Sequence, residues 1–370
     1  MAYGQLYGHR WRLFTKIKRI MAIIKYHNVG ITAMSACVPS KVVSNRDLGY
    51  LIPEEEIEKT IDNIGIEERR VVDDDVCASD LCYKAAKQLM EDNNIDPNSI
   101  DVLLFMSQTS DYRIPATAPI LQHRLGLSKD TCCLDLSLGC SGFVFALSTA
   151  FAYASMEGVH RVLLLDGETF SKICNKRDKV DWPLYGDGAT ATLIEKGDFE
   201  ESTFILKSDG SGANAVIIPG GGMRNPVAAD SLVETVREEG NIRNDLQIYM
   251  DGMEVFNFAM SVVPKGVKEI AKETNTTLDD IDWLVFHQAN KFMTDFFAKR
   301  LKFNMDKVPY CIQKYGNTSS TSVPLTIVSE LKDKLKKGDR VVMCGFGAGL
   351  SWGTARVVFS DCKISPIIEY

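Results

Sequence analysis

Residues 95–108 read IDPNSIDVLLFMSQ, and residues 276–288 read TTLDDIDWLVFHQ. Each stretch passes through Ile-Asp into a continuous apolar segment that ends on a polar pair. Each also follows a charged, helix-patterned segment, AAKQLMEDNN before the first and GVKEIAKETN before the second. A short apolar run after a helical pattern predicts a buried strand, so the same helix–strand unit occurs twice.

Two further pairs of segments continue this similarity along the chain. HRVLLLDGETFS at 160–171 resembles DRVVMCGFGAGLS at 339–351, and LGCSGF at 138–143 resembles YGNTSS at 315–320. The first pair predicts strands that end in Gly-containing turns, and the second predicts polar loops that open onto helices. The offset between partners is about 180 residues throughout, which indicates an internal duplication.

The repeated pattern predicts the fold class. Continuous apolar strands alternate with amphipathic helices in each half, which is typical of mostly parallel sheets buried on both faces. We therefore expect two duplicated α/β halves, residues 21–198 and 199–370, side by side. Ligand sites in such sheets gather at the carboxyl ends of the strands. The three polar loops would all lie there, bringing Cys140, His287 and Asn317 to corresponding places.

The composition excludes several classes of protein. Hydrophobic residues make up 45% of the 370 residues and charged residues 25%, as in ordinary globular proteins. A net charge of -7 disfavours nucleic acid as a partner. No apolar run reaches the roughly 18 residues of a membrane span, so integral membrane association is not expected.

The ten cysteines form no C-x-x-C pair and predict free thiols in a reducing cytoplasm. No metal site is predicted, since the acidic run at 73–75 lacks ligand-spaced partners.

Residues 1–20 differ from the rest of the chain. GHRWRLFTKIKRI is basic with interleaved apolar positions, and it lacks the continuous apolar stretch of a signal peptide. A helix on a membrane surface is one interpretation. We favour a disordered leader, or an upstream start that precedes a true one at Met21, and assign no function to it.

Cys140 is the strongest candidate for a nucleophile. It follows the predicted strand TCCLDLSLG and precedes SGFVFALSTAFAYAS, a predicted apolar helix. A thiol at a helix N-terminus lies near the positive end of the helix dipole, which predicts a lowered pKa. Gly139 and Gly142 permit a sharp turn there. The alternative, a small buried apolar side chain, is accepted instead for Cys132, Cys133, Cys311 and Cys344.

His287 and Asn317 are the candidate polar partners of that thiol. His287 ends the predicted strand DWLVF, whereas His9, His27, His123 and His160 lack this setting. A neutral imidazole at a strand end can take a proton or donate a hydrogen bond to an oxyanion. Asn317 alone could be a turn residue or a helix cap. Its place opposite the Cys140 turn favours a donor that stabilises an enolate.

An ordered set of motifs adds a family resemblance. LDLSLGCSGF, YGDGA, MDGMEVFNFA, WLVFHQAN, KYGNTSSTSVP and GFGAGLSWG occur in this order between residues 22 and 360. The set resembles the β-ketoacyl-acyl carrier protein synthase III family of the thiolase superfamily. This resemblance implies a thiolase-like fold of five layers (αβαβα) and an acyltransferase that acts as a condensing enzyme in fatty acid biosynthesis.

The resemblance also implies a two-stage reaction. Cys140 takes an acyl group from a thioester, and backbone N–H groups of Cys140 and Ala348 bind the oxyanion. A malonyl-carrier thioester then loses carbon dioxide, His287 and Asn317 hydrogen-bond the resulting enolate, and the enolate attacks the acyl-enzyme to form a 3-oxoacyl thioester.

Further substrate contacts and partners follow from the same resemblance. Asn290 matches a position that contacts the pantetheine arm, and Phe346 matches a substrate-binding position. Ile114 matches a residue that crosses a dimer interface to close the acyl pocket, so a homodimer is implied. The substrates are thioesters of acyl carrier protein or coenzyme A, with no permanently bound cofactor.

Several positions depart from the family pattern. Where relatives that use acetyl coenzyme A carry Trp and Arg near the adenine, this chain has Lys59 and Asn63, and Lys179 aligns with a second Arg. Asn257 and Phe292 stand where Lys or Arg commonly faces carrier protein. We therefore expect a specialised enzyme of this family, one that takes its acyl group from a carrier protein or serves a secondary pathway.

Two alternative functions stay open at this stage. Cys140 could pass its acyl group to a hydroxyl or amine without decarboxylation, which carbon dioxide release would distinguish. The chain could also be a non-catalytic partner subunit that only binds acyl chains. The intact set Cys140, His287 and Asn317 argues against the second alternative.

Overall fold

A computed structural model describes residues 22–370, so the predicted leader at 1–20 lies outside the described residues. Within this range the strands are β1 (Ile24–Tyr26), β2 (Val29–Val38), β3 (Val42–Ser44), β4 (Glu68–Arg70), β5 (Val102–Met106), β6 (Cys132–Leu136), β7 (Arg161–Thr169), β8 (Asp187–Lys196), β9 (Ser202–Ser208), β10 (Val216–Ile217), β11 (Thr235–Val236), β12 (Ile242–Arg243), β13 (Tyr249–Met250), β14 (Trp283–Phe286), β15 (Arg340–Gly347), β16 (Ser351–Val358), β17 (Lys363–Ile364) and β18 (Ile368–Glu369). The α-helices are α1 (Glu54–Ile64), α2 (Ala78–Asp92), α3 (Thr117–Arg124), α4 (Gly142–Ser155), α5 (Gly252–Glu273), α6 (Lys291–Leu301), α7 (Ile312–Tyr315) and α8 (Ser322–Glu330).

Two large sheets share the same topology. The first has the order β17-β2-β8-β7-β5-β6, and the second has the order β1-β9-β16-β15-β14. Strands β2-β8-β7-β5 of the first sheet therefore correspond to β9-β16-β15-β14 of the second, as the duplication predicts. The residues that would mirror β6, at 308–311, do not form a strand.

The layers follow from where the apolar helix faces lie. Helices α4 and α8 pack between the two sheets in the largest apolar cluster, while α2 and α3 cover the first sheet and α5 and α6 cover the second. Helix α4 is apolar on all sides, and Phe143, Leu147 and Phe151 are fully buried, as expected for a helix between layers. These layers form the five-layer thiolase-like fold.

The sheets are mixed, whereas the sequence pattern predicted mostly parallel sheets. β5 pairs in parallel with β6 and β7, and β14 with β15. By contrast, β7 and β8 are antiparallel, and so are β15 and β16. β15 and β16 are joined by residues 348–350, a connection too short to reach a parallel neighbour, and no α-helix lies in the connection 170–186 between β7 and β8.

The terminal strands cross the predicted boundary between the halves. The boundary at residue 198 falls between β8 and β9, but β1 pairs with β9 in the second sheet. β17 and β18 pair with β2 in the first sheet. Each end of the described chain is therefore anchored in the opposite half. No helix in the described part of the chain is long and apolar enough to cross a membrane.

Candidate active site

Cys140 lies in the turn between β6 and α4, two residues before the helix begins at Gly142. Its thiol is 3.6 Å from the hydroxyl of Ser319. Burial raises the pKa of Cys140 to about 11, although the Ser319 hydroxyl lowers it and Glu168 raises it further. This direction is opposite to the lowering expected from the helix N-terminus, because loss of solvation is the largest influence on the thiol. The thiol is therefore protonated at neutral pH and needs a proton acceptor to react.

The end of strand β15 lies directly against Cys140. A Cβ atom on Gly347 would be 2.8 Å from Cys140 Cβ and 3.1 Å from its sulfur, so only glycine fits without displacing the thiol. A Cβ atom on Gly139 would be 2.9 Å from Cβ of Ala348. This close packing holds the backbone of Ala348 beside the Cys140 turn, where its N–H is a candidate oxyanion donor.

Asn317 was expected in a polar loop at the carboxyl end of a strand, but it reaches the site from a different element. It follows the short helix α7 rather than a strand, and it forms an isolated parallel bridge with Tyr185. Its side chain is buried, and its Oδ1 accepts a 2.9 Å hydrogen bond from the backbone N–H of Ser319. The amide Nδ2 donates no hydrogen bond to any residue between 22 and 370, which leaves it available for a substrate oxygen.

His287 is buried at the carboxyl end of β14, as its sequence position predicted. Its Nδ1 is 2.7 Å from the hydroxyl of Ser322, and that hydroxyl is also 2.7 Å from the carbonyl oxygen of Ser319. Burial lowers the pKa of His287 to about 3, so the ring is neutral. Since the Ser322 proton can be donated to either acceptor, Nε2 can accept a hydrogen bond in one arrangement and donate one in the other while the ring stays uncharged.

Ser319 connects all three predicted residues, and the sequence reasoning missed it. Its N–H is donated to Asn317, its hydroxyl contacts Cys140, and its carbonyl accepts from the Ser322 hydroxyl that holds His287. Its φ of 52° lies in the left-handed region, which costs a non-glycine residue about 1–2 kcal/mol. The only signal in the sequence is the polar run NTSSTS, which indicates a turn but no such contacts.

The predicted substrate-binding residues lie in three different environments. Phe346 is buried with its ring edge-on to His287 at 5.1 Å, so it fixes the imidazole plane. Asn290 caps helix α6, its Oδ1 accepting from the N–H of Met293 at 2.8 Å. Ile114 is 89% exposed and lies outside this cluster. The substrate contacts of all three remain predictions.

A cavity of about 210 Å³ opens beside Ala348. Apolar residues such as Phe170, Ile173 and Ile248 line it together with the polar residues Gln108 and Ser137. Such a mixture suits a short acyl chain attached to a polar thioester. In the part of the chain that the structure describes, no three His, Cys, Asp or Glu side chains form a group that could hold a metal ion.

Comparison with known proteins gives a consistent result. Residues 134–212 match the family "3-Oxoacyl-[acyl-carrier-protein (ACP)] synthase III", and residues 271–359 match its C-terminal family. A Campylobacter jejuni relative is 39% identical over 312 residues, spanning 83% of this chain and 86% of that protein. The β-ketoacyl-[acyl-carrier-protein] synthase III of Caldanaerobacter subterraneus is 35% identical over 90% of this chain and 98% of its own length. The chain belongs to the β-ketoacyl-[acyl-carrier-protein] synthase III family.

A solved structure of a synthase is similar to this chain over almost its whole length. The crystal structure of a 3-oxoacyl-(acyl-carrier protein) synthase from Burkholderia xenovorans superposes with a TM-score of 0.88 at 36% identity, covering 95% of this chain and 99% of that one. The two family matches contain all three candidate residues, Cys140 in the first and His287 and Asn317 in the second. Each duplicated half therefore has its own synthase III family match, and each match includes segments that form the site.

Proposed function

We propose that this chain is a condensing enzyme that forms a 3-oxoacyl thioester by decarboxylation. The observation that supports this most is the Ser319 turn, which joins a thiol, a neutral imidazole and a free amide donor.

In the first step the sulfur of Cys140 attacks a thioester carbonyl, and the donor thiol leaves. The thiol proton passes through Nε2 of the neutral His287 to the sulfur of the departing donor, so the donor leaves as a thiol and the ring is neutral again at the end of the step.

The second step uses the same polar groups as hydrogen-bond donors. The bond between the carboxylate and Cα of the malonyl thioester breaks, carbon dioxide leaves, and the electron pair forms an enolate. Nδ2 of Asn317 and Nε2–H of His287 would stabilise the enolate oxygen. The enolate carbon then bonds to the acyl carbon, and the sulfur of Cys140 leaves. Backbone N–H groups of Cys140 and Ala348 would bind the oxyanion in both steps.

We propose an acyl carrier protein, rather than coenzyme A, as the acyl donor. Lys59, which replaces the expected Trp, is exposed on helix α1, whose first turn consists of Glu54, Glu55 and Glu56. Lys179, which replaces the expected Arg, lies 3.8 Å from Glu239. A lysine is a poor stacking partner for a planar base, so the adenine of coenzyme A would lack the planar contacts that Trp and Arg supply.

The donor is tested by measuring acyl transfer to Cys140 with intact-protein mass spectrometry. We expect saturable transfer from acetyl-carrier protein and a kcat/KM with acetyl coenzyme A at least about tenfold lower, equivalent to ~1.4 kcal/mol. The Cys140→Ala variant is the control and should gain no adduct from either donor. Efficient saturable transfer from acetyl coenzyme A would contradict a carrier-protein donor without affecting the condensation itself.

We also propose that the enzyme is a homodimer. Strand β6 is the last strand of the first sheet, so one edge of it has unpaired backbone groups. Leu134 on this strand is 39% exposed, and Tyr112 and Ile114 in the loop between β5 and α3 are 62% and 89% exposed. A second copy would cover this apolar edge and supply its Ile114 to the first copy's pocket.

The dimer is tested by light scattering after size-exclusion chromatography. The wild-type chain should have twice the chain mass, and the double variant Leu134→Lys, Ile114→Glu should shift towards one chain. Val236→Glu, at a residue that is 73% exposed elsewhere, is the matched control and should stay dimeric. A wild-type monomer at micromolar concentration would refute the dimer.

A cytoplasmic location fits the thiol chemistry. All ten cysteines are free, and several are buried in apolar surroundings. Free thiols persist in reducing compartments. We therefore propose the cytoplasm as the location of the enzyme.

A further inference from the structure

Two carboxyl groups are buried behind the Ser319 turn. Asp166 and Glu168 alternate on strand β7, so their side chains project from the same face of the first sheet, and both residues are 0% exposed. The turn Ser319–Thr321 packs against this strand. Neither carboxyl group contacts the predicted substrate groups, so the proposed reaction does not use them directly.

A single hydroxyl lies between the two carboxyl groups. Ser320 Oγ is 2.6 Å from Oδ1 of Asp166 and 3.4 Å from Oε1 of Glu168. Ser320 has only one proton, and the shorter contact to Asp166 uses it. A hydrogen bond between Glu168 and Ser320 therefore requires that Glu168 supply a proton. Thr321 also donates to Asp166 at 3.1 Å, which ties a second residue of the turn to the strand.

The surroundings of the pair contain polar but uncharged groups. Glu168 accepts from the N–H of Gln108 at 3.0 Å and from the hydroxyls of Thr109 and Ser107 at 2.7 and 3.3 Å, all in the segment after β5. Oδ2 of Asp166 has no hydrogen-bond partner in the described part of the chain.

No cation balances the two carboxyl groups. Among residues 22–370, no Lys, Arg or His lies within ion-pair distance of either. The carboxyl groups in turn act on two thiols: Asp166 and Glu168 raise the pKa of Cys82 on helix α2, and Glu168 raises that of Cys140 in the turn before α4. Asp187 of β8 is engaged separately, by Ser171 and the N–H of Val72. Two unbalanced buried negative charges would cost too much to persist at neutral pH.

We propose that Asp166, Ser320 and Glu168 share one proton along a single hydrogen-bonded chain, and that this chain is a positioning element for the turn that contains Ser319. The proton alternates between Glu168 and Asp166 through the Ser320 hydroxyl, with no net change of charge. In this way strand β7 holds the turn that contacts Cys140, Asn317 and, through Ser322, His287. The effect on catalysis depends on the proposed condensation reaction. The sharing of the proton does not depend on that reaction.

Burial of the two carboxyl groups determines how the stability of the folded protein changes with pH. Desolvation raises the pKa of Asp166 and of Glu168, and the charge of Asp166 raises that of Glu168 further. The folded pair therefore keeps a proton that the unfolded chain releases above about pH 4. The stabilisation is present at low pH and is lost as the pH rises through the folded pKa of Asp166, about 7, and then through that of Glu168, about 8. Above that pH a second negative charge also faces Cys140 and raises its thiol pKa.

The experiment compares Asp166→Asn and Glu168→Gln with the wild-type enzyme by three measurements that require no turnover. The infrared carbonyl band of a protonated carboxylic acid should be present in the wild type near pH 6.5 and weakened in both variants. The melting temperature should fall less steeply between pH 5 and 8.5 in the variants. Alkylation of Cys140 by iodoacetamide, followed by peptide mass spectrometry, should match the wild type at pH 6 and be about threefold faster at pH 9 in Glu168→Gln.

Control variants separate this role from general packing. Asp187→Asn removes another buried carboxyl and should leave Cys140 alkylation unchanged at both pH values. Ser320→Ala breaks the chain but keeps both carboxyl groups, so it should shift the infrared band even if a carboxyl variant does not fold. An unchanged band in Ser320→Ala, or equal alkylation of wild type and Glu168→Gln at pH 9, would overturn the proposal. Neither outcome would affect the proposed condensation.

Discussion

Replacing Cys140 with alanine is expected to lower condensation by at least about 10³-fold while carbon dioxide release from a malonyl thioester persists. The sulfur is the only atom of this side chain that can bond to the acyl group. The enolate donors, Nδ2 of Asn317 and Nε2 of His287, are held by Ser319 and Ser322 and do not depend on the sulfur. Product formation and carbon dioxide release, measured in the same reaction, distinguish the two steps.

Cys132 provides the matched control for this variant. It lies on strand β6 of the same half, and its side chain is exposed, so the buried position predicted for it from the sequence is wrong. Cys132→Ala should keep wild-type condensation and still accept the acyl group on Cys140. A Cys140→Ala enzyme that condenses at the wild-type rate, or an acyl adduct that maps to Cys132 in the wild type, would contradict the role of Cys140.

Replacing Asn317 or His287 with alanine is expected to lower condensation by about 10²–10³-fold each, because each substitution removes one donor to the enolate oxygen. The two variants should differ in the first step. Asn317→Ala should acylate Cys140 at close to the wild-type rate, since its amide has no part in removing the thiol proton. His287→Ala should also acylate slowly, because burial holds the pKa of Cys140 near 11 and its proton acceptor is gone.

Rapid-mixing mass spectrometry of the acyl-enzyme measures the first step, and labelled carbon dioxide release measures the second. Ser322→Ala is the control for positioning, since Ser322 contacts His287 but no substrate. It should lose about tenfold in condensation, less than His287→Ala. If Asn317→Ala blocked acylation while sparing carbon dioxide release, the assignment of roles would have to be reversed.

The duplicated architecture was predictable from the sequence because its signal is local. The strands at 102–106 and 283–286 each follow an amphipathic helix and occupy equivalent places in the two sheets. The exchange of terminal strands was not predictable in the same way. β1 and β17 have only three and two residues, and their choice of sheet depends on contacts with distant strands.

The candidate site was predictable in its residues but not in its connections. Cys140 and His287 stand at ends of apolar segments, where polar residues are conspicuous. The role of Ser319 depends on a left-handed backbone and on its N–H and carbonyl groups, which any residue type possesses. The pKa of Cys140 was predicted in the wrong direction because burial between two halves cannot be read from the turn alone.

The most direct test of the proposed function is a single turnover with enzyme that has been acylated on Cys140 and freed of donor. The acyl-enzyme is mixed with malonyl-carrier thioester labelled at its free carboxyl group. We predict that loss of the Cys140 adduct, release of labelled carbon dioxide and formation of 3-oxoacyl thioester occur in equal amounts. Transfer of the acyl group to another acceptor without carbon dioxide release, or an adduct that persists unchanged, would contradict decarboxylative condensation.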